Sequence, residues 1–396
     1  MAAEALTGAI GNVDEDLVVE LAAELCRRPS PRGGEKPAAV WLADRLDRLG
    51  FEVELQEVVD DRPNVVAILR GAPDFQSCLL NGHLDHSTME GPWKHDPAQP
   101  WIEDGVLYGG GIQDMKGGVA ALCAGAAALA RTPGERRGDV IVTAVMHHDT
   151  TGVGTKFFLD MCPWRLDCGL NGEPTNLAVQ TFHGGAWVFE AELTGVSRHQ
   201  SRLEEGVNAI AGAARLLGQL DLGALTYEAD PDHPFLPRLV VGTMAGGGAA
   251  SSTAERCLIQ GDVRYLPTMA IDRMKADVRR VVERACAGTP GLSGRVRTVR
   301  HQWPYQMSED APVVQSVIAA HALVTGQRPR VTSGLPAGAF ITDAADMVRR
   351  GIPTAIYGPA DWNTIVNEGI PIADLVTAAR VYAAATMDLT SRPRTS

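Results

Sequence analysis

Side chains that bind metal ions occur at four points of this sequence. They are His83 and Asp85 in NGHLDHS, Asp114 in the Gly-rich YGGGIQDMKGG, the His147-His148-Asp149 run in VTAVMHHDTTGVG, and Glu173 in GLNGEPTN. Histidine, aspartate and glutamate form the ligand set of zinc and related divalent ions. The combination therefore suggests a metal site that could activate water or polarise a carbonyl group.

Each fragment alone also has a structural explanation. A His-x-Asp at a strand end is more often structural than catalytic, Asp114 could be a turn residue, and Glu173 before Pro174 could cap a helix. The His147-His148 pair could be no more than the polar end of a strand. The four fragments together favour a metal site. The strand period of two places His83 and Asp85 on one face, where one side chain can bind a metal and the other can orient it.

The segments around these residues alternate between buried strands and helices. NVVAILRG, SCLLNGHLD and DVIVTAVMHHD are apolar runs typical of buried strands, and GGVAALCAGAAALARTPG predicts a helix of small residues. This order predicts an α/β fold with a mostly parallel sheet sandwiched by helices. In such sheets, ligands bind at the carboxyl ends of the strands, and all four fragments are predicted to lie at such ends.

The pattern changes between residues 181 and 300. Alternating strands such as AWVFEAELTG and amphipathic helices such as MAIDRMKADVRRVVERACAG follow each other there, as in a small α+β domain. After residue 300 the first pattern returns. We predict a catalytic domain formed by residues 1–180 and 301–396, interrupted by an inserted domain at residues 181–300.

Composition and charge exclude several classes of function. The 396-residue chain has 45% apolar and 21% charged residues and a formal charge of −12, which argues against binding to nucleic acid or an anionic membrane. We find no apolar run long enough for a membrane span and no secretory signal. The seven widely spaced cysteines indicate reduced thiols, so we expect a cytoplasmic protein.

The ordered motifs resemble those of the metallo-aminoacylase and acetylornithine deacetylase family, which includes succinyl-diaminopimelate desuccinylases, glutamate carboxypeptidases and N-carbamoyl amino acid hydrolases. The motifs are NGHLDHS, LYGGGIQDMKGG, NGEPT, GVSRHQSRLEEGVNAI, GDVRYLP and ITDAADMVRRGIPTAIYGP, and they cover most of the chain. The resemblance implies a zinc-exopeptidase-like catalytic domain with an inserted lid domain that usually forms a homodimer. It also implies two zinc ions that share a bridging aspartate, and a glutamate base that activates water.

By this resemblance, His83 and Glu173 bind the first metal, Asp85 supports His83, and Asp114 bridges two metals. The family usually has Asp-Glu-Glu at the next motif. Alignment on the turn before Gly154 places His148 at the glutamate base and Asp149 at a ligand of the second metal. A shift of one residue would place His147 there instead. Histidine titrates near neutral pH, so His148 could still transfer protons, and it could also bind metal.

The C-terminal motif departs from the family pattern as well. Thr364, in DWNTIVNEG, occupies the position of a histidine that binds the second metal, and we expect it to contact the substrate instead. Either the second metal is weak or absent, or His148 joins Asp149 to rebuild its site. We therefore expect Zn²⁺ or another divalent metal, one per subunit, with two as the alternative.

Three residues of the insert correspond to substrate contacts in the family. His199 matches a histidine that reaches a neighbouring subunit's active site and polarises the substrate carbonyl, and Arg264 matches an arginine that binds a substrate carboxylate. Ser251 falls near the position of the arginine's asparagine partner. The resemblance also gives Thr342 and Asp343 a structural or positioning role. As alternatives, His199 and Arg264 could be an ordinary surface histidine and an ordinary strand arginine.

These observations leave three hypotheses for function. The first is a metal-dependent amidohydrolase that acts on a C–N bond of a small amino-acid-like substrate, with His148 as the base. The second is a biosynthetic enzyme of the same fold that uses one metal for C–N bond formation, cyclisation, elimination or isomerisation. Its motive is the joint change at His148, Thr364 and Ser251. The third, a non-catalytic relative, conflicts with the retained ligands of the first metal.

Overall fold

The protein folds into two units in a computed structural model that describes residues 2–87, 89–132, 137–148, 152–332, 341–361 and 363–394. The first unit comprises residues 1–182, 305–335 and 342–396, and the second comprises residues 183–304 and 336–341. No helix among the described residues is both long enough and apolar enough to cross a membrane.

The first unit is built on an eight-stranded sheet with the order β1-β2-β6-β3-β7-β16-β8-β15. Its strands are β1 (Glu52–Val59), β2 (Arg62–Leu69), β3 (Cys78–His83), β6 (Val140–Val145), β7 (Cys168–Asn171), β8 (Val179–Gln180), β15 (Val331–Thr332) and β16 (Thr354–Ile356). The pairs β6-β3, β3-β7, β7-β16 and β8-β15 are parallel, and the other three pairs are antiparallel. The predicted α/β fold with a mostly parallel sheet is confirmed.

Helices surround this sheet. They are α1 (Ala2–Gly11), α2 (Glu15–Cys26), α3 (Lys36–Arg48), α4 (Gly117–Ala130), α5 (Val153–Met161), α8 (Pro312–Thr325), α9 (Ala344–Arg349) and α10 (Ile372–Thr390). Every residue of β3 and β6 is buried, as expected for central strands covered on both faces. Helix α4 owes its small residues to close packing, because a Cβ at Gly125 would lie 2.7 Å from the Ala379 carbonyl oxygen of α10.

Smaller strands complete this unit. They are β4 (Trp101–Glu103), β5 (Val106–Tyr108), β14 (Tyr305–Gln306) and β17 (Gly369–Pro371), and β9 (Phe182–His183) lies at the unit boundary. The order β17-β5-β4 places the segment before β17 close to the loop that carries Asp114. The backbone N–H of Gln113 donates to the Glu368 carboxylate at 3.2 Å.

The second unit is an antiparallel sheet covered by helices. Its strand order is β11-β12-β10-β13, with β10 (Gly185–Thr194), β11 (Arg238–Gly246), β12 (Arg256–Tyr265) and β13 (Ser293–Gln302). Helices α6 (Ala209–Leu217) and α7 (Ile271–Cys286) pack on this sheet. Burial alternates along β12, so one face of the sheet meets the helices and the other carries polar side chains.

Candidate metal centre

Three neighbouring parallel strands end at the same edge of the first unit's sheet. His83 is the last residue of β3, His148 follows β6, and Glu173 follows β7. Strand β3 lies between the other two, with His83 opposite Val145 of β6 and Asn81 opposite Asn171 of β7. The sheet order therefore brings together three side chains that are far apart in the sequence.

The three side chains form a compact buried cluster. The Nε2 atoms of His83 and His148 lie 3.8 and 3.7 Å from Oε1 of Glu173. The two imidazole rings stack with centroids 4.4 Å apart and an interplanar angle of 12°. The nitrogen and oxygen atoms that could bind a metal all lie within 4.8 Å of one another, and all three residues are buried.

The cluster fits a divalent cation. The Nε2 atom of His83 and both carboxylate oxygens of Glu173 are buried and make no hydrogen bond within the described part of the chain. Buried polar atoms are nearly always paired, and an unpaired buried carboxylate is costly. One cation would satisfy all three atoms, and two histidines with one glutamate form a known catalytic zinc ligand set.

The outer nitrogens of both histidines are held by neighbouring groups. Nδ1 of His83 lies 2.8 Å from the backbone oxygen of Asp85 and 3.6 Å from its carboxylate. Nδ1 of His148 lies 2.8 Å from Oδ1 of Asp343. The Asp85 carboxylate instead accepts the backbone N–H of His148 at 2.9 Å, so it ties the two strand ends together.

At each residue of the cluster, burial and the neighbouring side chains of opposite charge have opposite effects on the pKa. Burial raises the pKa of Glu173 to about 7, although the two histidines oppose the rise. Burial and His148 lower the pKa of His83, but Asp114 and Glu173 outweigh them and raise it to about 9. The metal-free cluster thus retains protons near neutral pH, and we expect a bound cation to displace them.

Burial would raise the pKa of Asp343, but the His148 ring and the Thr155 hydroxyl outweigh it and lower that pKa to about 2. Asp343 is therefore a carboxylate at neutral pH. The same pairing raises the pKa of His148 well above its ordinary value, because Asp343 outweighs the effect of burial. An ionised carboxylate only accepts hydrogen bonds, so Nδ1 of His148 is the donor.

Asp114 lies at the rim of the cluster. It lies in the segment Ile112–Lys116, where its own backbone is not helical (φ −132°, ψ 91°). Its Oδ1 is 3.2 Å from Nε2 of His83, an ion-pair contact without hydrogen-bond geometry, and its side chain is 29% exposed. The buried Lys116 fixes this segment because its Nζ donates to the carbonyl oxygens of Leu25 and Arg28 at 2.9 and 3.0 Å. Asp114 is thus a carboxylate that both the cluster and solvent can reach.

Three further residues were considered at the second-metal position: His147, Asp149 and Thr364. Asp149 is outside the described residues. His147 has a left-handed backbone with a φ of 55° and is not one of the three clustered residues. The Thr364 hydroxyl donates to the carbonyl oxygen of Val366 at 2.7 Å, within its own turn.

The predicted catalytic residue His199 and two predicted substrate-binding residues, Ser251 and Arg264, lie in the second unit. His199 is exposed, and its loop runs beside Ser251, whose carbonyl oxygen accepts the Gln200 N–H at 2.8 Å. Arg264 makes a two-pronged ion pair with Asp262, with both N···O distances 3.0 Å. Their roles stay predictions.

Two contacts of the predicted residues were not expected from the sequence. The spacing of two along β12 places Asp262 and Arg264 on one face, so their pairing could have been inferred. The contact between His148 and Asp343 joins residues 195 positions apart. No local sequence pattern signals that contact.

Comparison with known proteins gives a consistent picture. The deformylase of N-formyl-4-amino-5-aminomethyl-2-methylpyrimidine from Bacillus subtilis is 26% identical over 379 residues, 86% of either chain. The acetylornithine deacetylase of Edwardsiella ictaluri is 28% identical over 331 residues, 81% of either chain. Both relatives are amide hydrolases by name, which does not favour the non-hydrolytic alternative.

A solved structure shares the fold. The dinuclear metal-binding peptidase of the M20 family from Bacillus subtilis superposes with a TM-score of 0.72 at 13% identity, over 95% of this chain and 98% of the other. The family model for peptidase family M20/M25/M40 matches residues 79–388, which is more than half of the chain. The predicted relationship and the predicted class, a hydrolase that acts on amide C–N bonds, are confirmed. The chain belongs to peptidase family M20/M25/M40.

Proposed function

We propose that this enzyme removes a short acyl group, formyl or acetyl, from the nitrogen of a small amine, and that it uses one zinc ion bound by His83, His148 and Glu173. The observation that carries the proposal is the buried cluster, in which Nε2 of His83 and both Glu173 oxygens make no hydrogen bond within the described chain. The choice of acyl group comes from the two relatives, a deformylase and a deacetylase.

In this proposal His148 is a metal ligand and not the base. Its Nδ1 donates to Asp343, so only Nε2 faces the cluster, 3.7 Å from Glu173 Oε1. A single nitrogen cannot bind a cation and accept a proton at the same time. We propose that Asp114, whose Oδ1 lies 3.2 Å from Nε2 of His83, is the proton acceptor instead of the bridging ligand that the family resemblance implies.

The other residues of the site have separate roles in the proposed reaction. His83, His148 and Glu173 offer three ligands and leave a position open, which is typical of catalytic rather than structural zinc. Asp85 and Asp343 hold the rings, and Asp114 transfers the proton between the attacking water and the leaving amine. When bound, the cation supplies Lewis acidity for the scissile carbonyl and a nucleophile at neutral pH.

We propose that His199 acts at the active site of a neighbouring subunit and polarises the substrate carbonyl there, as the family resemblance implies. We propose that Ser251 and Arg264 contact the substrate. The ion pair with Asp262 partly neutralises the charge of Arg264. Arg264 is therefore better suited to bind a neutral polar group of the substrate than to bind a carboxylate tightly. The substrates to be tested therefore include compounds with and without a carboxylate.

We further propose a cytoplasmic homodimer that forms through the second unit. Strand β11 is an edge strand on which Val240 and Met244 are 59% and 43% exposed, and an edge strand of this kind favours pairing with another chain. The seven free cysteines suit a reducing compartment.

The test is release of amine from a panel of N-formyl and N-acetyl compounds, with and without a carboxylate, by the purified zinc-loaded protein. We expect turnover of at least one short N-acyl amine and a loss of about 10³-fold in His83→Ala. The exposed His95 provides the matched control His95→Ala, which should retain activity because it lies outside the cluster.

Two results would contradict the proposal. One is a zinc-loaded wild-type protein that turns over none of the panel. The other is equal activity in the two histidine variants, because the clustered histidine would then have no role in the reaction.

A further inference from the structure

His148 is held by a buried chain of hydrogen bonds that extends away from the metal cluster. Oδ1 of Asp343 accepts from Nδ1 of His148 at 2.8 Å, and Oδ2 accepts the Thr155 hydroxyl at 2.6 Å. The Thr155 oxygen in turn accepts a hydrogen bond from Nδ2 of Asn81 at 3.1 Å. Asp343 is 3% exposed and Thr155 is fully buried, so water does not compete for these contacts.

The Asp343 side chain does not cap the helix that follows it. Asp343 precedes α9 at the N-cap position, where an aspartate usually accepts a backbone N–H of the first turn. Its side chain makes no such bond, and the Ala344 N–H is directed to Thr342 at 3.2 Å. Both carboxylate oxygens are directed instead to His148 and Thr155.

The chain also leaves space for this carboxylate. Gly152 precedes α5 with a φ of 61°, and a Cβ there would lie 2.8 Å from Oδ1 of Asp343. A side chain at this position would collide with the oxygen that holds His148. The close approach of the α5 N-terminus to Asp343 therefore requires glycine.

The two histidines of the cluster differ in what holds them. Nδ1 of His83 meets a neutral backbone oxygen, whereas Nδ1 of His148 meets a carboxylate. A carboxylate that accepts from the outer nitrogen of a metal-binding histidine fixes its tautomer and ring orientation, and it increases the basicity of the inner nitrogen. Replacement of such a partner typically weakens metal affinity.

We propose that Asp343, held in place by Thr155, is the positioning residue that makes His148 a metal ligand. The carboxylate fixes the imidazole with its proton on Nδ1 and its Nε2 directed to His83 and Glu173. This inference rests on the proposed function for the identity of the cation, but the geometry of the pair does not depend on turnover.

The test compares zinc affinity, measured by competition with a chelator, in four variants of the full chain. We expect Asp343→Asn to bind zinc about 10–100-fold more weakly and Thr155→Val to lose affinity in the same direction. Thr155→Ser retains the hydroxyl and should restore wild-type affinity. The matched control is Asp346→Asn, because this carboxylate lies in α9, the helix that begins directly after Asp343, but pairs with Lys156 at 3.6 Å.

A second measurement does not require metal. Proton NMR of the metal-free protein should show an Nδ1–H resonance of His148 that is protected from exchange with water, identified by its loss in His148→Gln. The resonance should exchange rapidly or disappear in Asp343→Asn and in Thr155→Val, and persist in Asp346→Asn. A purely structural carboxylate would not change this signal selectively.

The outcomes separate this proposal from the proposed function. A protected resonance that depends on Asp343, together with weaker zinc binding, supports positioning even when no amide substrate is turned over. Unchanged affinity and an unchanged resonance in Asp343→Asn would overturn it. If Asp343→Asn does not fold, the comparison of Thr155→Val with Thr155→Ser decides, and equal zinc affinity in those two variants would overturn it.

Discussion

Replacement of Glu173 by glutamine should have opposite effects on stability with and without zinc. In the metal-free protein both carboxylate oxygens are buried and make no hydrogen bond within the described residues, and burial raises the pKa from 4.5 to about 7. Glutamine is nearly the same size but has no charge. It should therefore stabilise the metal-free protein and destabilise the zinc-bound protein relative to wild type.

The size of the expected change in the free energy of unfolding follows from the pKa of Glu173. A rise from 4.5 to about 7 corresponds to about 3 kcal/mol between the folded and unfolded states. The folded protein holds this proton more tightly than the unfolded chain. Its contribution to the free energy of unfolding is thus fully present below pH 4.5, is lost as pH rises to about 7, and does not change above that.

Zinc should reverse which protein, wild type or Glu173→Gln, has the larger free energy of unfolding. A ligand that binds only the folded state adds about 4 kcal/mol at a thousandfold excess over its dissociation constant. Wild type should gain this amount, whereas Glu173→Gln should gain little because it has lost one of three ligands. At pH 8 the variant should be up to about 3 kcal/mol more stable than wild type without metal and less stable with it.

The assay is urea denaturation at pH 8, in chelator and in excess zinc. Glu35 provides the matched control because it is also fully buried but is paired with Arg62. Glu35→Gln should destabilise the protein by about 2 kcal/mol in both conditions, since a hydrogen bond to a charged group is weakened in each. Equal destabilisation of Glu173→Gln with and without zinc would refute the assignment of Glu173 as a ligand.

Three further predictions concern other parts of the protein. Gly152→Ala should lower the free energy of unfolding by about 1–2 kcal/mol, because its φ of 61° is left-handed and a Cβ would lie against Asp343; an unchanged urea midpoint would contradict this. Arg62→Ala should cost about 3 kcal/mol in urea denaturation because it leaves Glu35 charged and buried, and the double variant with Glu35→Leu should recover most of the loss. Val240→Asp should shift the protein from dimer to monomer in light scattering, and a wild-type monomer would contradict the proposed pairing through β11.

Much of the candidate metal centre could be predicted because its residues follow strands. The apolar runs before His83 and His148 indicate buried strands, and the ends of parallel strands meet at one edge of a sheet. The sequence could not give the order β6-β3-β7, which decides that His83 lies between the other two residues. That order depends on long-range packing and not on local pattern.

The proposed role of His148 as a metal ligand does not follow from the sequence alone. Sequence alignment places it at a catalytic base, but a histidine can bind metal or transfer protons, and its neighbours determine which. The neighbour that supports the proposed ligand role is Asp343, which lies 195 residues away in the sequence and beside His148 in space. A short pattern such as Thr-Asp before a helix normally indicates a cap and gives no sign of this contact.

The most direct test of the central claim is the zinc content of the wild-type protein and of His148→Ala, measured by equilibrium dialysis and elemental analysis. A site formed by His83, His148 and Glu173 predicts one tightly bound zinc ion per wild-type chain and its loss from His148→Ala. Two tightly bound ions in the wild type, or one ion bound with unchanged affinity in His148→Ala, would contradict it.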